Sequence, residues 1–573
     1  MSRIKAAGQL FCSFFIVCVL CQSAVAGTAP AAIASAHPAA TNAGFEVLEQ
    51  GGNAFDAAIA VAATLAVVEP TGSGLGGGGF WLLHRVSDNY QTMIDGRERA
   101  PAASTAGMYL DDSGNPVPGL SLYGALAAGI PGTPAAIDHM AKRYGHLPLS
   151  VSLAPAIRAA EQGFAAYPRY IRLLEARLKY LSPATRKIFM APDGAVPALG
   201  TMIRQPELAE TLRQLARFGR SGFYAGETGS KLISSVQKQG GIWTQQDLDD
   251  YEVVERPPVI GQYHNARFVI ASPPSSGGVA IMQMLKMLDT LNYAGLDKQQ
   301  RRQKVIEVMR RAYRDRARYM GDPDHVEINL QKLLSDAYLE KLASSIGDEA
   351  SMFDTPGTAS VKGSDTTHFS IIDGDGNRVA ATLSNNYYFG SGIVAEGTGV
   401  TLNNEMDDFS AQPGAANVWG LTGNQANAIA PGKRPLSSMS PAFIERGDEV
   451  VVIGTPGGSR IITMVLLAML DYLHEGGSVE DWVALPRYHH QYRPDVVQFE
   501  PGAISEDEQF DLESKGYVLQ ERSRPYGNMQ TVWMNRSTGE MQAASDPRNQ
   551  GSAEVRVLQT LSDVAVGAVV GRE

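Results

Sequence analysis

Cysteine is almost missing from this chain of 573 residues, and all of it lies near the N-terminus. The three copies are Cys12, Cys18 and Cys21. They belong to a segment with a basic start, a short apolar run and an A-x-A sequence that ends at residue 26, which is typical of an export signal that is cleaved off. The mature chain therefore has no disulfide, no thiolate metal site and no cysteine nucleophile.

Long apolar runs are also missing after this segment, and the segment itself is shorter than the roughly 20 residues that a membrane span needs. We therefore expect a signal peptide over 1–26 and a periplasmic or secreted protein. The formal net charge is −11, and loss of Arg3 and Lys5 with the signal makes it −13. An acidic surface argues against nucleic acid and anionic membranes as partners.

The usual glycine signatures of nucleotide binding and serine hydrolysis are absent or misplaced. No G-x-S-x-G occurs, so a nucleophile elbow is not expected. Gly72 to Gly77 contains G-x-G-x-x-G, but a helix pattern precedes it and a strand pattern follows it. A dinucleotide site needs the opposite order. We interpret this segment as a tight glycine turn where backbones approach closely.

The sequence also lacks a convincing metal motif. Asp373 to Asn377 (DGDGN) resembles the start of a calcium loop, but positions six and twelve are Arg378 and Ser384 instead of Gly and Glu. We expect a hairpin turn there. His489 and His490 are adjacent, with no third ligand evident. We expect no metal and no cofactor.

What is present is an alternation of apolar helices and strands, which favours an α/β layered protein. Helices are predicted over 54–68, 302–320 and 460–474, the second with a charged face that we expect to be solvated. Strand patterns begin at Thr366 and continue after the DGDGN turn. The segment 410–434 is rich in Gly, Pro, Ala and Asn, and we interpret it as a lid loop.

Four short segments could carry chemistry, and each has an ordinary structural explanation as well. Two threonines, Thr366 and Thr367, open a strand; a threonine becomes a nucleophile when it is N-terminal, because its own α-amine is the base. Gly-Gly in GTPGGSR suits an oxyanion or a plain turn. The acids of NNEMDDF suit a solvated turn, a metal or a cation pocket. KRPLSSMSP is weak evidence for anion binding.

The order of these segments is more informative than any one of them. Upstream stand EQGGNAFDAAIAVAATLAVVEP, GLGGGGF and DGRERAP, and then follow DTTHFSIID, NNEMDDFS, KRPLSSMSP and GTPGGSR. Together they resemble the gamma-glutamyltranspeptidases, or glutathione hydrolases, of the N-terminal-nucleophile hydrolase superfamily. The resemblance covers nearly the whole mature chain. It implies a four-layer αββα sandwich made as one precursor.

The resemblance also implies how the precursor matures and acts. Self-cleavage at the Asp365–Thr366 bond would give a large subunit of 27–365 and a small subunit of 366–573, which stay together as a heterodimer. Thr366 would attack a γ-glutamyl amide and pass the acyl group to water or to an amino acid or peptide acceptor. Small γ-glutamyl compounds and these acceptors are then the expected partners.

The family's site residues can be carried over onto matching positions. By resemblance, Arg97, Ser437 and Ser438 bind the substrate α-carboxylate, and Asn386, Glu405 and Asp408 receive its α-ammonium. The N–H groups of Gly457 and Gly458 would form the oxyanion hole, and Ser384 would hydrogen-bond near the nucleophile. Trp419 lies in the lid.

Three positions depart from the family pattern. Ser384 stands where Thr is common, and it keeps the hydroxyl. Asn385 stands where an apolar residue is more usual. Trp419 stands where some bacterial relatives have Tyr, so its detailed contact is not predicted by the resemblance.

Two other functions stay open at this stage. One is a related acylase, of the cephalosporin-acylase type, that prefers glutaryl or other acyl side chains; the acids Glu405 and Asp408 favour a γ-glutamyl substrate instead. The other is a non-catalytic exported binding protein with the same fold, and the intact set of site residues speaks against it.

Overall fold

The computed structural model describes residues 29–351, 366–412 and 414–558. The predicted signal peptide at 1–26 and the predicted cleavage residue Asp365 lie outside the described residues. Thr366, on the other side of the predicted cleavage, is the first described residue of the second stretch.

Twenty strands form within the described residues. In chain order they are β1 (Pro30–Ser35), β2 (Gly78–Arg85), β3 (Tyr90–Gly96), β4 (Phe164–Ala165), β5 (Met202–Ile203), β6 (Val254–Arg256), β7 (Val259–Tyr263), β8 (Ala266–Ile270), β9 (Thr367–Ile372), β10 (Arg378–Ser384), β11 (Val394–Ala395), β12 (Val400–Thr401), β13 (Ala442–Arg446), β14 (Glu449–Gly454), β15 (Tyr488–His489), β16 (Val497–Phe499), β17 (Leu519–Glu521), β18 (Gln530–Asn535), β19 (Met541–Ser545) and β20 (Ser552–Val557).

Seventeen α-helices form within the same part of the chain. They are α1 (Pro38–Glu49), α2 (Ala54–Val68), α3 (Thr133–Arg143), α4 (Leu149–Gln162), α5 (Pro168–Arg177), α6 (Pro183–Phe189), α7 (Pro206–Phe218), α8 (Ser221–Tyr224), α9 (Gly226–Lys238), α10 (Gln245–Asp249), α11 (Gly277–Thr290), α12 (Lys298–Tyr319), α13 (Leu330–Leu333), α14 (Asp336–Ala343), α15 (Ile461–Leu470), α16 (Val479–Ala484) and α17 (Glu506–Ser514).

Two antiparallel sheets dominate the fold. The first has seven strands in the order β20-β1-β9-β10-β2-β3-β6, and the second has six in the order β19-β18-β14-β13-β8-β7. In both sheets, strands from before residue 365 are hydrogen-bonded to strands from after it, as in the pairs β10–β2 and β13–β8. The two predicted pieces therefore share one set of sheets.

The sheets pack face to face between two layers of helices. Apolar side chains of β9 and β10 meet those of β14 in one core, while α11, α12 and α15 cover the other face of the second sheet. A second core lies between the first sheet and helices such as α1 and α2. This is the αββα sandwich that the resemblance implies, so the predicted fold class is confirmed.

The best-predicted helix is α2. It spans the predicted residues 54–68, every one of its residues is buried, and Asn53 caps its first turn by accepting hydrogen bonds from the N–H groups of Phe55 and Asp56. The apolar pattern on all sides predicts such burial, because the helix lies between the sheet and other helices.

The glycine segment after α2 lets three backbones come close together. A Cβ atom on Gly76 would lie 2.1 Å from the carbonyl oxygen of Thr401, and one on Gly77 would lie 2.1 Å from that of Ser384. No side chain fits at such distances. The prediction of close backbone approach is confirmed, and the approach places the end of β10 beside the start of β2.

The DGDGN segment is a hairpin turn between β9 and β10. The Asp373 carboxylate accepts hydrogen bonds from the N–H groups of Asp375 and Asn377, at 3.0 and 2.9 Å. Its other oxygen accepts from the N–H of Ala54, at 2.8 Å, at the start of α2. The turn carboxylate therefore joins the hairpin to the helix layer.

The adjacent histidines also have structural partners. His489 lies 2.9 Å from the hydroxyl of Thr463 and 2.8 Å from the side-chain oxygen of Gln491, and His490 lies 2.9 Å from Asp495. Within the residues that the structure describes, no group of three or more His, Cys, Asp or Glu side chains could hold a metal ion.

The expectation of a solvated charged face on α12 is wrong for five of its eleven charged residues. Glu307, Arg310, Arg311, Asp315 and Arg316 are all buried. One side of the helix packs on α11, while other positions contact residues from distant parts of the chain, including Asp495 and Ser438. Helical periodicity alone could not show that two sides are covered.

Candidate active site

Thr366 and Thr367 lie in different surroundings although they are neighbours. Thr366 is 3% exposed and lines a small cavity, and its hydroxyl is 3.5 Å from that of Ser384. The Thr367 hydroxyl donates instead to the carboxylate of Glu69, at 2.5 Å. Successive side chains of a strand point to opposite faces, so only the first threonine faces the cavity.

Ser384 connects the start of β9 to the next site residue. Its hydroxyl oxygen accepts a hydrogen bond from the backbone N–H of Asn386, at 2.7 Å. Asn386 has φ of 70°, an uncommon value outside glycine, and its side-chain amide donates to the carbonyl of Asn404 at 2.9 Å. The chain thus turns sharply at the end of β10 and directs the Asn386 side chain into the cavity.

Asn385 turns away from the solvent beside this site. It is fully buried, and a Cβ on Gly77 would lie 2.4 Å from its side-chain oxygen. Neither polar atom of its side chain has a hydrogen-bond partner among the described residues. Because position 385 carries Asn instead of the apolar residue that is more usual in the family, a buried amide packs against the glycine segment.

The Gly457–Gly458 turn follows β14 at the edge of the cavity. The two residues have φ of 154° and 57°, values that favour glycine. Gly458 lines the cavity, and a Cβ on it would lie 2.6 Å from the Trp419 ring. Within the described stretches, neither glycine N–H donates a hydrogen bond to another group. Two such N–H groups can donate hydrogen bonds to a developing oxyanion.

Arg97, which follows β3, holds two of the predicted acids. Its guanidinium is 2.8 Å from the Glu405 carboxylate and 2.5 Å from that of Asp408, and its Nε donates to the Pro435 carbonyl at 3.1 Å. The side chain is 1% exposed. Glu405 and Asp408 lie in a single 3₁₀ turn, which brings both to the same cation.

Three carboxyl groups crowd around this one guanidinium. Burial raises the pKa of Glu405 to about 8, against the opposing effect of Arg97. Burial and the Glu405 charge also raise the pKa of Glu98 well above its usual value, and burial raises that of Asp408. One cation cannot keep three buried acids ionised. An additional cation, such as an ammonium group, would favour the ionised forms.

The serine pair lies on the other side of the cavity. The Ser437 hydroxyl accepts from the N–H of Met439 at 3.1 Å. The Ser438 hydroxyl accepts from Arg316, at 3.3 Å. Both serines line the cavity, and so does Arg316. Arg316 is the site residue that sequence reasoning missed, since it belongs to the charged helix α12.

Trp419 closes the cavity. Its indole N–H donates to the side-chain oxygen of Asn386 at 2.7 Å, and its carbonyl accepts from Gln491 at 3.0 Å. The neighbouring Asn417 donates to Asp408 at 3.1 Å. Trp419 is 3% exposed, so this part of the lid loop is packed down on the site.

The closed cavity has a volume of only about 20 Å³. That is room for about one water molecule. Most of the site residues named from the sequence line it: Thr366, Ser384, Arg97, Asn386, Asp408, Ser437, Ser438, Gly458 and Trp419. Glu405 lies beside the cavity because it is paired with Arg97, and Gly457 lies beside it because it directly precedes Gly458.

Asp407 points elsewhere. Its carboxylate accepts from the Ser121 hydroxyl at 2.6 Å and from the backbone N–H of Val418, in the lid, at 2.9 Å. It lines a separate groove of about 430 Å³ on the outer side of the lid. Of the three acids in NNEMDDF, this one anchors the lid, and the other two hold Arg97.

Comparison with known proteins gives a consistent result. The family model described as gamma-glutamyltranspeptidase matches residues 40–556. A glutathione hydrolase proenzyme of Pseudomonas sp. (strain A14) is 41% identical, over 90% of this chain and 91% of the relative. The proenzyme of that name from Escherichia coli (strain K12) is 40% identical, over 90% of each chain.

The same comparison among solved structures finds the fold in a differently named enzyme. The crystal structure of cephalosporin acylase from Bacillus halodurans superposes with a TM-score of 0.81 at 29% identity, over 92% of this chain and 96% of that one.

Proposed function

This chain belongs to the gamma-glutamyltranspeptidase family, and we propose that it cleaves γ-glutamyl amide bonds, as in glutathione, with Thr366 as the nucleophile. The relatives' description as proenzymes supports a self-processing precursor. The observation that carries the proposal is one cavity: the Thr366 hydroxyl faces the same small space as Arg97, Asp408 and Ser438.

The proposed chemistry starts with cleavage of the Asp365–Thr366 bond, which frees the α-amine of Thr366. That amine takes the proton from the Thr366 hydroxyl while the oxygen attacks the γ-carbonyl carbon. The carbonyl oxygen becomes negative and accepts hydrogen bonds from the N–H groups of Gly457 and Gly458. The C–N bond then breaks, the amine returns the proton to the leaving nitrogen, and a threonyl ester remains.

The second half of the reaction repeats these steps with a new nucleophile. Water, or the amine of an amino acid or peptide, loses a proton to the Thr366 α-amine and attacks the ester. Its addition breaks the bond to the Thr366 oxygen, which takes the proton back. The products are glutamate or a new γ-glutamyl compound.

Substrate recognition follows from the charges around the cavity. We propose that Glu405 and Asp408, with the Asn386 side-chain oxygen, receive the α-ammonium, and that Arg97 and the serine pair face the α-carboxylate. The indole of Trp419 now occupies the Asn386 oxygen. Opening of the lid would free that oxygen for the ammonium and open the cavity.

The shared sheets support a stable heterodimer of 27–365 and 366–573. After the proposed cleavage, the strand pairs β1–β9 and β10–β2 would join the two subunits by backbone hydrogen bonds. We also propose export through a cleaved signal at 1–26. None of the helices in the described stretches combines the length and the apolar character that a membrane span requires.

The acylase alternative has one observation in its favour, the solved structure with that name and fold. The test is turnover of γ-glutamyl-p-nitroanilide against glutaryl-p-nitroanilide, which lacks only the α-amine. We expect a strong preference for the γ-glutamyl compound, because an amine-free ligand leaves Glu405 and Asp408 without the additional cation. A preference for glutaryl would make the acylase the better assignment, and no turnover of either would favour a binding protein.

A further inference from the structure

Arg316 is a buried cation in the wall of the cavity. It lies on α12, it is 6% exposed, and it lines the same space as Thr366. Its Nε donates to the hydroxyl of Ser276 at 3.0 Å, and its Nη2 donates to the hydroxyl of Ser438 at 3.3 Å. Both acceptors are neutral groups.

These two contacts connect Arg316 to both members of the serine pair. The Ser276 hydroxyl accepts from Arg316 and donates to the Ser437 carbonyl at 2.7 Å. The Ser438 hydroxyl accepts from Arg316 directly, so its own proton is left to donate to another group. Arg316 therefore fixes the position of the segment that carries Ser437 and Ser438. It also sets the direction in which the Ser438 hydroxyl donates.

The charge of Arg316 has no close counterion. Among the described residues, no carboxylate lies within ion-pair distance of it. Asp408 and Arg97 act on it from across the cavity, and the Tyr313 side chain acts from its own helix. Burial lowers its pKa to about 10, so it stays charged at neutral pH. A buried charge without a partner is costly, and a bound anion would offset that cost.

Arg97 is in the opposite situation. Both of its terminal nitrogens already face carboxylates, Glu405 and Asp408. A substrate carboxylate that relied on Arg97 alone would compete with these two acids. Among the described residues that line the cavity, Arg316 is the cation that has no carboxylate partner.

We propose that Arg316 is a positioning residue for the α-carboxylate of the substrate, acting through Ser438 and Ser437 and supplying the positive charge that this carboxylate neutralises. The proposal rests on the proposed γ-glutamyl function and deepens it. Two arginines then share recognition: Arg97 faces the carboxylate while it also holds the two acids that face the ammonium, and Arg316 holds the two serines that face the carboxylate.

Three p-nitroanilides separate this role from a structural one. The γ-glutamyl compound has both α-groups, the glutaryl compound keeps only the carboxylate, and the 4-aminobutyryl compound keeps only the amine. For Arg316→Gln we expect kcat/KM to fall about 10- to 100-fold with the first two, mostly through KM, as for loss of a charged hydrogen bond. With the third we expect a change of less than about threefold.

Two variants serve as controls. Arg316→Lys keeps the charge and should recover part of the loss with the two carboxylate substrates only. Arg318→Gln removes an exposed arginine of the same helix and should leave all three values unchanged. An equal loss with all three substrates in Arg316→Gln, or no loss with any, would overturn the proposal.

A binding measurement keeps the test independent of catalysis. The thermal shifts produced by L-glutamate, glutarate and 4-aminobutyrate are compared between the wild type and Arg316→Lys, and Arg316→Gln where it folds. We expect Arg316→Lys to reduce the shift with the first two ligands, Arg316→Gln to lose it, and both variants to keep the shift with the third. Wild type that binds these ligands but turns over no substrate would refute the proposed function alone, whereas unchanged shifts in the variants would refute the role of Arg316.

Discussion

The hydrogen bond between Trp419 and Asn386 predicts how firmly the lid is held. Trp419→Phe removes the indole N–H that donates at 2.7 Å and keeps an aromatic ring over the Gly458 turn. The Asn386 oxygen is buried, so it loses its partner without gaining water. Such a loss costs about 1–3 kcal/mol. The ratio of closed to open lid should therefore fall about 5- to 150-fold.

Proteolysis under native conditions measures this ratio, because cleavage follows the open population when opening and closing are fast. Wild type and Trp419→Phe are treated with subtilisin, and mass spectrometry follows cuts between residues 411 and 430. We expect the variant to be cut about 5- to 150-fold faster there. Trp533→Phe, on β18 in the second sheet, is the matched control. Equal lid cleavage in all three proteins would refute the claim that the indole bond holds the lid.

Three further perturbations test other parts of the site and the core. Gly458→Ala would place a Cβ 2.6 Å from Trp419 at a φ of 57°, so we expect kcat to fall about 100-fold or more, measured with γ-glutamyl-p-nitroanilide. The ratio of kcat/KM for the γ-glutamyl substrate to kcat/KM for the glutaryl substrate should rise as pH passes about 8, because Glu405 then ionises. A ratio that stays constant from pH 6.5 to 9 would contradict this. Burial lowers the pKa of His368 to about 3, so this side chain stays neutral in the folded chain. In the unfolded chain it takes up a proton below about pH 6.5. The free energy of unfolding therefore falls on acidification. At pH 5 this contribution is about 2 kcal/mol, and His368→Gln should lose that part of the acid sensitivity in urea titrations at pH 7 and 5.

Local patterns in the sequence predicted the parts of the fold that depend on local rules. The bounds of α2 follow from its apolar composition and its Asn53 cap, and the hairpin of β9 and β10 follows from alternation around a turn. Helix α12 was predicted less well. Its start lies at Lys298, capped by Asp297, four residues before the predicted 302.

The site was predicted by motif order rather than by chemistry at single positions. Side-chain chemistry alone could not choose between Thr366 and Thr367, whereas the structure separates them, because Glu69 engages the second. Sequence could not assign Arg316 to the cavity, since that depends on packing of α12 against the serine segment. Nor could it show that Arg97 already holds Glu405 and Asp408, or that Asp407 turns to the lid.

The mass of the purified chains tests the central claim most directly. Intact mass spectrometry of the wild type should give two species, with the smaller one starting at Thr366, and Thr366→Ala should give a single uncleaved chain. The same preparation of wild type should turn over γ-glutamyl-p-nitroanilide, and the variant should not. A wild type that stays in one piece yet is active, or a small subunit that begins at another residue, would contradict Thr366 as the N-terminal nucleophile.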